Sequence, residues 1–238
     1  MTKIVAHRGA NKYAPENTFA AADLALEQGA DYIELDVRES ADGVLYVHHD
    51  ETLDRTTNAR GPIGEALSSE IDALDAGRWY STRFAGQRVP RLDAYLRHLK
   101  GRCGVYLELK HCDPAKVAVL VRSLGIQRET FYFSFSAQMR DGLQRLAPEL
   151  RKMITLTMAG SPALAGPLHA ASILEISVDQ MWRQPHLLAT ARDLGLAVMV
   201  YYGGQDPEVF AKIAACAPDY INTDNTELFV AARAKHGA

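Results

Sequence analysis

The chain predicts an α/β fold, a (β/α)8 or TIM barrel with a small insertion after its second strand, and three observations carry that expectation. From residue 92 onward, short apolar runs alternate regularly with helix-like segments. Runs such as Phe131-Tyr-Phe-Ser-Phe135 and Val198-Met-Val-Tyr-Tyr202 are apolar on both faces, as parallel strands covered by helices are. Setting aside one hairpin strand, eight strand-like runs are each followed by a helix. An open doubly wound sheet is the runner-up, but the Gly-rich phosphate loop that should follow its first strand is missing.

Residues 3–7 read as the first strand, and Arg8-Gly9 opens a loop. Pro15-Glu-Asn-Thr18 is a helix start, with Asn17 or Thr18 as cap, and the Ala/Leu-rich helix from Phe19 to Gln28 stops at Gly29. The second strand is 32–37. Asp42-Gly43 is a tight-turn signal, so 44–50 returns as a hairpin partner. Residues 51–90 are irregular and rich in Gly and Pro. The insertion is therefore placed at about 38–90, within a single 1–238 domain, with Trp79, Tyr80 and Phe84 as its own small core.

Beyond it, helix 92–100 precedes strand 104–110, and helix 114–124 precedes strand 130–135. Helix 137–147 leads to strand 152–157, and a helix near 163–171 leads to strand 172–178. Helix 184–194 precedes strand 196–202, helix 206–217 precedes strand 219–223, and helix 226–235 comes last. Gly125 and Gly195 stand where helices end, and Asp113-Pro114 and Asp206-Pro207 where they begin.

Composition is that of a globular protein, with 47% hydrophobic and 23% charged residues. A net charge of −3 supplies no field for nucleic acid and no polybasic membrane patch. No apolar run reaches the ~18 residues of a membrane anchor, and the N-terminus runs straight into a strand with no leader. Cys103, Cys112 and Cys216 are odd in number and lack C-x-x-C spacing, which argues for plain thiols in a reducing, cytoplasmic setting.

The most informative stretch is Tyr32-Ile-Glu-Leu-Asp-Val37. Alternation puts Glu34 and Asp36 on one face of an apolar strand, where two carboxylates repel and are costly to desolvate. A divalent cation removes both costs, and oxygen-only ligands favour Mg2+, Ca2+ or Mn2+; pairing with Arg or Lys is the plainer alternative. Other polar groups gather at strand ends, where barrels carry their chemistry. They are His7-Arg8, His48-His49-Asp50, Glu108 with Lys110 on one face, Tyr201-Tyr202 and Asn222-Thr-Asp224.

These residues resemble the glycerophosphodiester phosphodiesterase family almost end to end. The match runs through His7-Arg8-Gly9, Pro15-Glu-Asn-Thr18, Glu34-Leu-Asp36, His49-Asp50 and Leu53-Asp-Arg-Thr-Thr57. It continues through Pro90-Arg-Leu92, Leu107-Glu-Leu-Lys110, Ser134-Phe135 and Thr223-Asp224. The resemblance implies one divalent metal ion held by Glu34, Asp36 and Glu108, with His7 and His49 as an acid–base pair. Two departures from the family pattern are Tyr201, where Trp is usual, and Thr226, where Pro is usual. Tyr201 touches the expected pocket for the alcohol group.

Charge arithmetic agrees. Three carboxylates and one M2+ leave about −1, and Arg8 and Lys110 bring the pocket to about +1, matched to one phosphodiester monoanion. The expected reaction is hydrolysis of a small-molecule glycerophosphodiester, such as glycerophosphocholine or glycerophosphoethanolamine, to an alcohol and sn-glycerol 3-phosphate. The alternatives are a sugar or other polyol diester, or a non-catalytic phosphodiester-binding barrel. His48, Asp50, Asn222 and Asp224 are expected to brace the structure rather than react, and Asn17 either to brace the first loop or to touch substrate.

Overall fold

A computed structural model describes residues 1–236. Strand β1 (Lys3–Ala6) is followed by helix α1 (Phe19–Glu27), whose Thr18 side chain caps Ala21 N–H, and then by β2 (Tyr32–Glu39). Strand β3 (Leu45–Val47) runs antiparallel to β2 on the outside, and helices α2 (Ser68–Ile71) and α3 (Leu92–Leu99) follow. Next come β4 (Gly104–His111), α4 (Pro114–Leu124), β5 (Thr130–Phe133), α5 (Ala137–Leu146) and β6 (Arg151–Thr155). Then follow α6 (Leu156–Ala159), α7 (Pro162–His169), β7 (Ile173–Ser177), α8 (Val178–Arg183), α9 (Leu187–Asp193) and β8 (Ala197–Tyr202). The chain finishes with α10 (Pro207–Cys216), β9 (Tyr220–Thr223) and α11 (Thr226–His236).

The strand order β1-β9-β8-β7-β6-β5-β4-β2 closes through a direct β1–β2 pairing, and all eight of these strands are parallel. This is the predicted (β/α)8 barrel, with β3 as one extra strand bonded outside it. Ile33, Leu35 and Val37 of β2 are fully buried under the surrounding helices. The opposite set faces the barrel interior.

The lower interior is plugged by aromatics. Tyr106 stacks on Phe131 at 4.6 Å, and Tyr32 lies against Phe131 and Tyr220 at 5.5 Å each. Arg151 donates to the Tyr220 hydroxyl at 2.8 Å. A Cβ on Gly104 would lie 2.0 Å from the Tyr32 ring, so only glycine lets that ring enter the plug. Side chains two residues further along share the same face, so Glu34, Glu108 and Asn222 stand one step above Tyr32, Tyr106 and Tyr220. A dry aromatic floor thus carries a polar chamber that opens at the C-terminal ends of the strands.

Several expectations need correction. The strand expected over 130–135 stops at Phe133, because Ser134 turns its hydroxyl to Leu109 O and Ser136 caps α5. Phe135 is consequently 67% exposed rather than buried. The helix expected over 184–194 is α9, shortened to Leu187–Asp193, and an unexpected helix, α8, precedes it. A capping box of Ser177 and Gln180 starts α8 early, and the chain breaks around Pro185 before α9. Thr155 ends β6 by capping α6, where a longer strand was expected.

Between β2 and α3, a satellite core forms from Tyr46, Leu53, Ile63, Ile71, Ala76 and Val89. Trp79, Tyr80 and Phe84 are not part of it. They stand edge to face in a row, with Trp79 39% exposed, and Trp79 Nε1 and the Tyr80 hydroxyl donate to the main-chain carbonyls of Ala76 and Lys12, which holds these rings near the surface.

Candidate functional site

The carboxylates of Glu34, Asp36 and Glu108 offer ligand atoms within 4.8 Å of one another, and all three residues are buried. Register explains the convergence: Asp36 on β2 pairs with Glu108 on β4, and Glu34 lies one alternate step below. Burial, then the charges of Asp36 and Glu108, push the Glu34 carboxyl well above its usual range. Burial pushes Asp36 up too, but Lys110 and Arg8 outweigh it and hold that carboxyl low. Glu34 Oε1 is buried with no hydrogen-bond partner. An orphaned carboxylate oxygen inside an acidic cluster is what a hard divalent cation satisfies, so this donor set fits such an ion.

Two cations already lean on the cluster. Lys110 contacts Glu108 and lies 3.2 Å from Asp36 Oδ1, so the expected alternative of an ion pair is present alongside the open cluster. Arg8 places Nε 3.5 Å from Asp36 Oδ2 and donates to Glu16 Oε1 at 3.0 Å. Its backbone is left-handed, at φ 58°, a conformation held by donation from Arg8 N–H to Glu34 Oε2 at 2.8 Å. Gly9, at φ 78°, follows in a turn pressed against the Ala21 backbone, where a Cβ would meet the carbonyl carbon at 2.7 Å. Asn17 donates to Asp36 Oδ2 at 2.8 Å and so braces the acidic cluster.

The two histidines are held alike. His7 Nδ1 lies 2.7 Å from Asp224 Oδ1, and His49 Nδ1 lies 2.6 Å from Asp50 Oδ1. Ionised carboxylates only accept, so each ring carries its proton on Nδ1 and turns Nε2 away from its carboxylate. Burial opposes ionisation of Asp224, but hydrogen bonds from His7 and Asn11 prevail and set it at about 2. The hydrogen bond from Arg55 holds Asp50 far below the usual range.

Arg55 also clamps Glu16 with both terminal nitrogens, at 2.7 and 2.8 Å. One chain of ion pairs, Arg8–Glu16–Arg55–Asp50–His49, therefore ties the first loop to the hairpin. His48 instead turns inward and bonds Thr52 O at 2.9 Å, a bracing role as expected. Tyr201 stands edge-on to the His7 ring at 5.7 Å and is 38% exposed, which makes it a wall of the mouth.

The sequence profile of the Glycerophosphoryl diester phosphodiesterase family matches residues 7–228. The chain belongs to this family. A glycerophosphodiester phosphodiesterase of Caldanaerobacter subterraneus is 53% identical over 183 residues, 73% of either chain. YhdW of Bacillus subtilis, which carries the same family name, is 47% identical over 49% of this chain, and that alignment spans only 47% of the relative.

Among solved structures, a glycerophosphodiester phosphodiesterase from Agrobacterium tumefaciens matches with TM-score 0.95 at 68% identity, covering 97% of this chain and 100% of that one. A phosphodiesterase of Oleispira antarctica, solved with its product sn-glycerol-3-phosphate, shares the fold with TM-score 0.82 at 24% identity, over 98% of this chain and 97% of its own. The expected family, and with it the phosphodiesterase class of enzyme, is borne out.

The eight residues singled out in the sequence, His7, Arg8, Glu34, Asp36, His49, Glu108, Lys110 and Tyr201, all lie at the barrel mouth among this glycerophosphoryl diester phosphodiesterase framework. Four groups around them carry more than was expected. Asp224 was expected only to brace the barrel, yet it sits directly on His7. Glu16 and Arg55 join the two sides of the mouth. Glu175 was overlooked, although a lone carboxylate in Ile173-Leu-Glu-Ile176 gives the same alternation signal as Glu34. Burial pushes its carboxyl up to about 7.

Proposed function

We propose that this chain hydrolyses glycerophosphodiesters to an alcohol and sn-glycerol 3-phosphate, using one divalent cation, Mg2+ or Ca2+ with Mn2+ as a further candidate. The observation that carries the reading is the meeting of an orphaned acidic cluster with two imidazoles, each fixed through Nδ1 by its own carboxylate. The residues that would hold the ion are Glu34, Asp36 and Glu108. When bound there, a divalent cation supplies charge neutralisation and polarises a phosphoryl oxygen.

The chain's own groups account for the rest. Arg8 and Lys110 add positive charge beside the carboxylates, which draws the diester monoanion in and stabilises charge developing on phosphorus-bound oxygens. One histidine takes the proton of the attacking oxygen on Nε2, while the other, protonated, gives a proton from Nε2 to the departing alkoxide. Asp224 and Asp50 fix the tautomers and favour each imidazolium as it forms. The attacking oxygen belongs to water or to the neighbouring hydroxyl of the glycerol, the second giving a transient cyclic phosphate that water then opens.

Among the described residues, no helix is long and apolar enough to cross a membrane. All three cysteines are free, which supports a reducing, cytoplasmic setting. Tyr201 in the mouth favours, as a second reading, a diester whose alcohol is a sugar or another polyol.

Purified protein offered glycerophosphocholine with and without EDTA tests the proposal. Cation-dependent release of sn-glycerol 3-phosphate is the expected result, and turnover restricted to a sugar diester selects the second reading. No release from any diester rejects both.

A further inference from the structure

Glu175 and Asn222 lie inside the barrel and belong to none of the interactions above. Asn222 stands two residues above the floor residue Tyr220, and its neighbour in register is Tyr201 at the mouth. It is 5% exposed. Its amide nitrogen reaches Glu175 Oε2 only at 3.5 Å, and its Oδ1 is buried with no partner at all.

Glu175 is flanked by Leu174 and Ile176, which are buried outward against the helices, whereas Glu175 itself keeps some exposed surface. Aromatic rings close the barrel beneath it, so that surface opens upward into the chamber. A buried acceptor left without a donor costs about 1–3 kcal/mol, which marks a place where a ligand donor is missing. Among the described residues the metal-type cluster comprises Glu34, Asp36 and Glu108 and does not include Glu175.

We infer that Glu175 and Asn222 form the subsite that receives the hydroxyl groups of the glycerol moiety, one hydroxyl donating to Asn222 Oδ1 and its neighbour to the Glu175 carboxyl. The inference rests on the glycerophosphodiester reading and assigns an end of the substrate to a side of the barrel. Donor chemistry selects the occupant. The trimethylammonium of a choline ester has no N–H and leaves Asn222 Oδ1 unsatisfied, whereas adjacent hydroxyls supply two donors. Burial raises the Glu175 carboxyl, which also suits a neutral polyol better than a fixed cation. The choline or other alcohol is then directed away from this pair, toward the open rim.

The test compares glycerophosphocholine with p-nitrophenyl phosphorylcholine, which keeps choline and phosphate but lacks glycerol. For Glu175→Met and Asn222→Leu, the ratio of kcat/KM on the first to that on the second is expected to fall about tenfold or more, mainly through KM on the first. Glu175→Gln, which keeps an acceptor oxygen, is expected to retain most of the ratio, and Asn222→Ala serves if the leucine variant fails to fold. In parallel, calorimetric affinity for sn-glycerol 3-phosphate is expected to fall while affinity for inorganic phosphate holds.

An equal fall on both substrates, or no fall on either, overturns the assignment. A loss confined to glycerophosphoethanolamine also overturns it and assigns the pair to an ammonium. If wild-type protein hydrolyses no diester, the glycerophosphodiester reading has failed on its own, and the two calorimetric affinities still decide the subsite.

Discussion

His7 and Asp224 meet at 2.7 Å although 217 residues separate them, because β1 and β9 are hydrogen-bonded neighbours where the barrel closes. The contact fixes which nitrogen of His7 carries the proton. Asp224→Asn keeps the shape but lets an amide offer the ring its N–H, favouring the wrong tautomer. It is expected to lower kcat about 100-fold or more with Mg2+ affinity unchanged. Steady-state kinetics beside a calorimetric metal titration check this, and an undiminished kcat removes Asp224 from the mechanism.

Glu34 is a test of opposite signs. In metal-free protein its charge faces Asp36 and Glu108 in a dry site, so Glu34→Gln relieves repulsion and is expected to raise the melting temperature of the metal-free protein at pH 8. The same substitution removes a ligand and is expected to weaken Mg2+ or Ca2+ binding at least tenfold. A variant that melts lower than wild type without metal, or binds metal equally well, contradicts the acidic cluster as the ion's seat.

The stability of metal-free protein should fall as pH rises from about 4.5 to about 7, which is the window between the ordinary value of the Glu175 carboxyl and its value in the fold. Over that range the native state keeps a proton that the unfolded chain has released, so raising the pH favours unfolding. The loss is roughly 3 kcal/mol for this group, complete above pH 7. Asp224, held at about 2, acts in reverse and withdraws stability only as pH drops below about 4. Denaturant titrations from pH 4 to 8 measure the slope, and Glu175→Gln is expected to flatten it.

Gly9→Ala places a methyl group against the Ala21 backbone at a left-handed residue, and backbone cannot step aside as a side chain can. A loss of about 2 kcal/mol or more is expected, with activity falling further because His7 and Arg8 ride on the same turn. Chemical denaturation and kcat measured on the folded fraction separate the two effects.

Local patterns were readable from the chain, and pairings across the barrel were less so. Glu34 and Asp36 announce themselves because two carboxylates in one apolar strand demand a partner, and the helix caps at Asp113 and Asp206 stand where they were expected. Helix α8 was written in the Ser177–Gln180 capping box and in Pro185 beyond its end, but the strand expected through residue 178 masked its start. The exposure of Phe135 was not legible, because composition cannot show where Ser134 turns the chain. Asp224 looked like a brace because nothing local reveals that closure delivers it to His7, and Arg55 reads as a surface residue until Glu16 and Asp50 are seen on either side of it.

Because β9 slots between β1 and β8, the imidazole near the start of the chain has no carboxylate to lean on until residue 224 has been made and docked. During synthesis the acidic strands β2 and β4 are complete long before that moment, so a half-made polypeptide holds its acidic residues without the carboxylate that orients His7. Competence therefore arrives in one late event, and a protease clip that frees the final strand is expected to silence turnover while leaving cation capture largely in place.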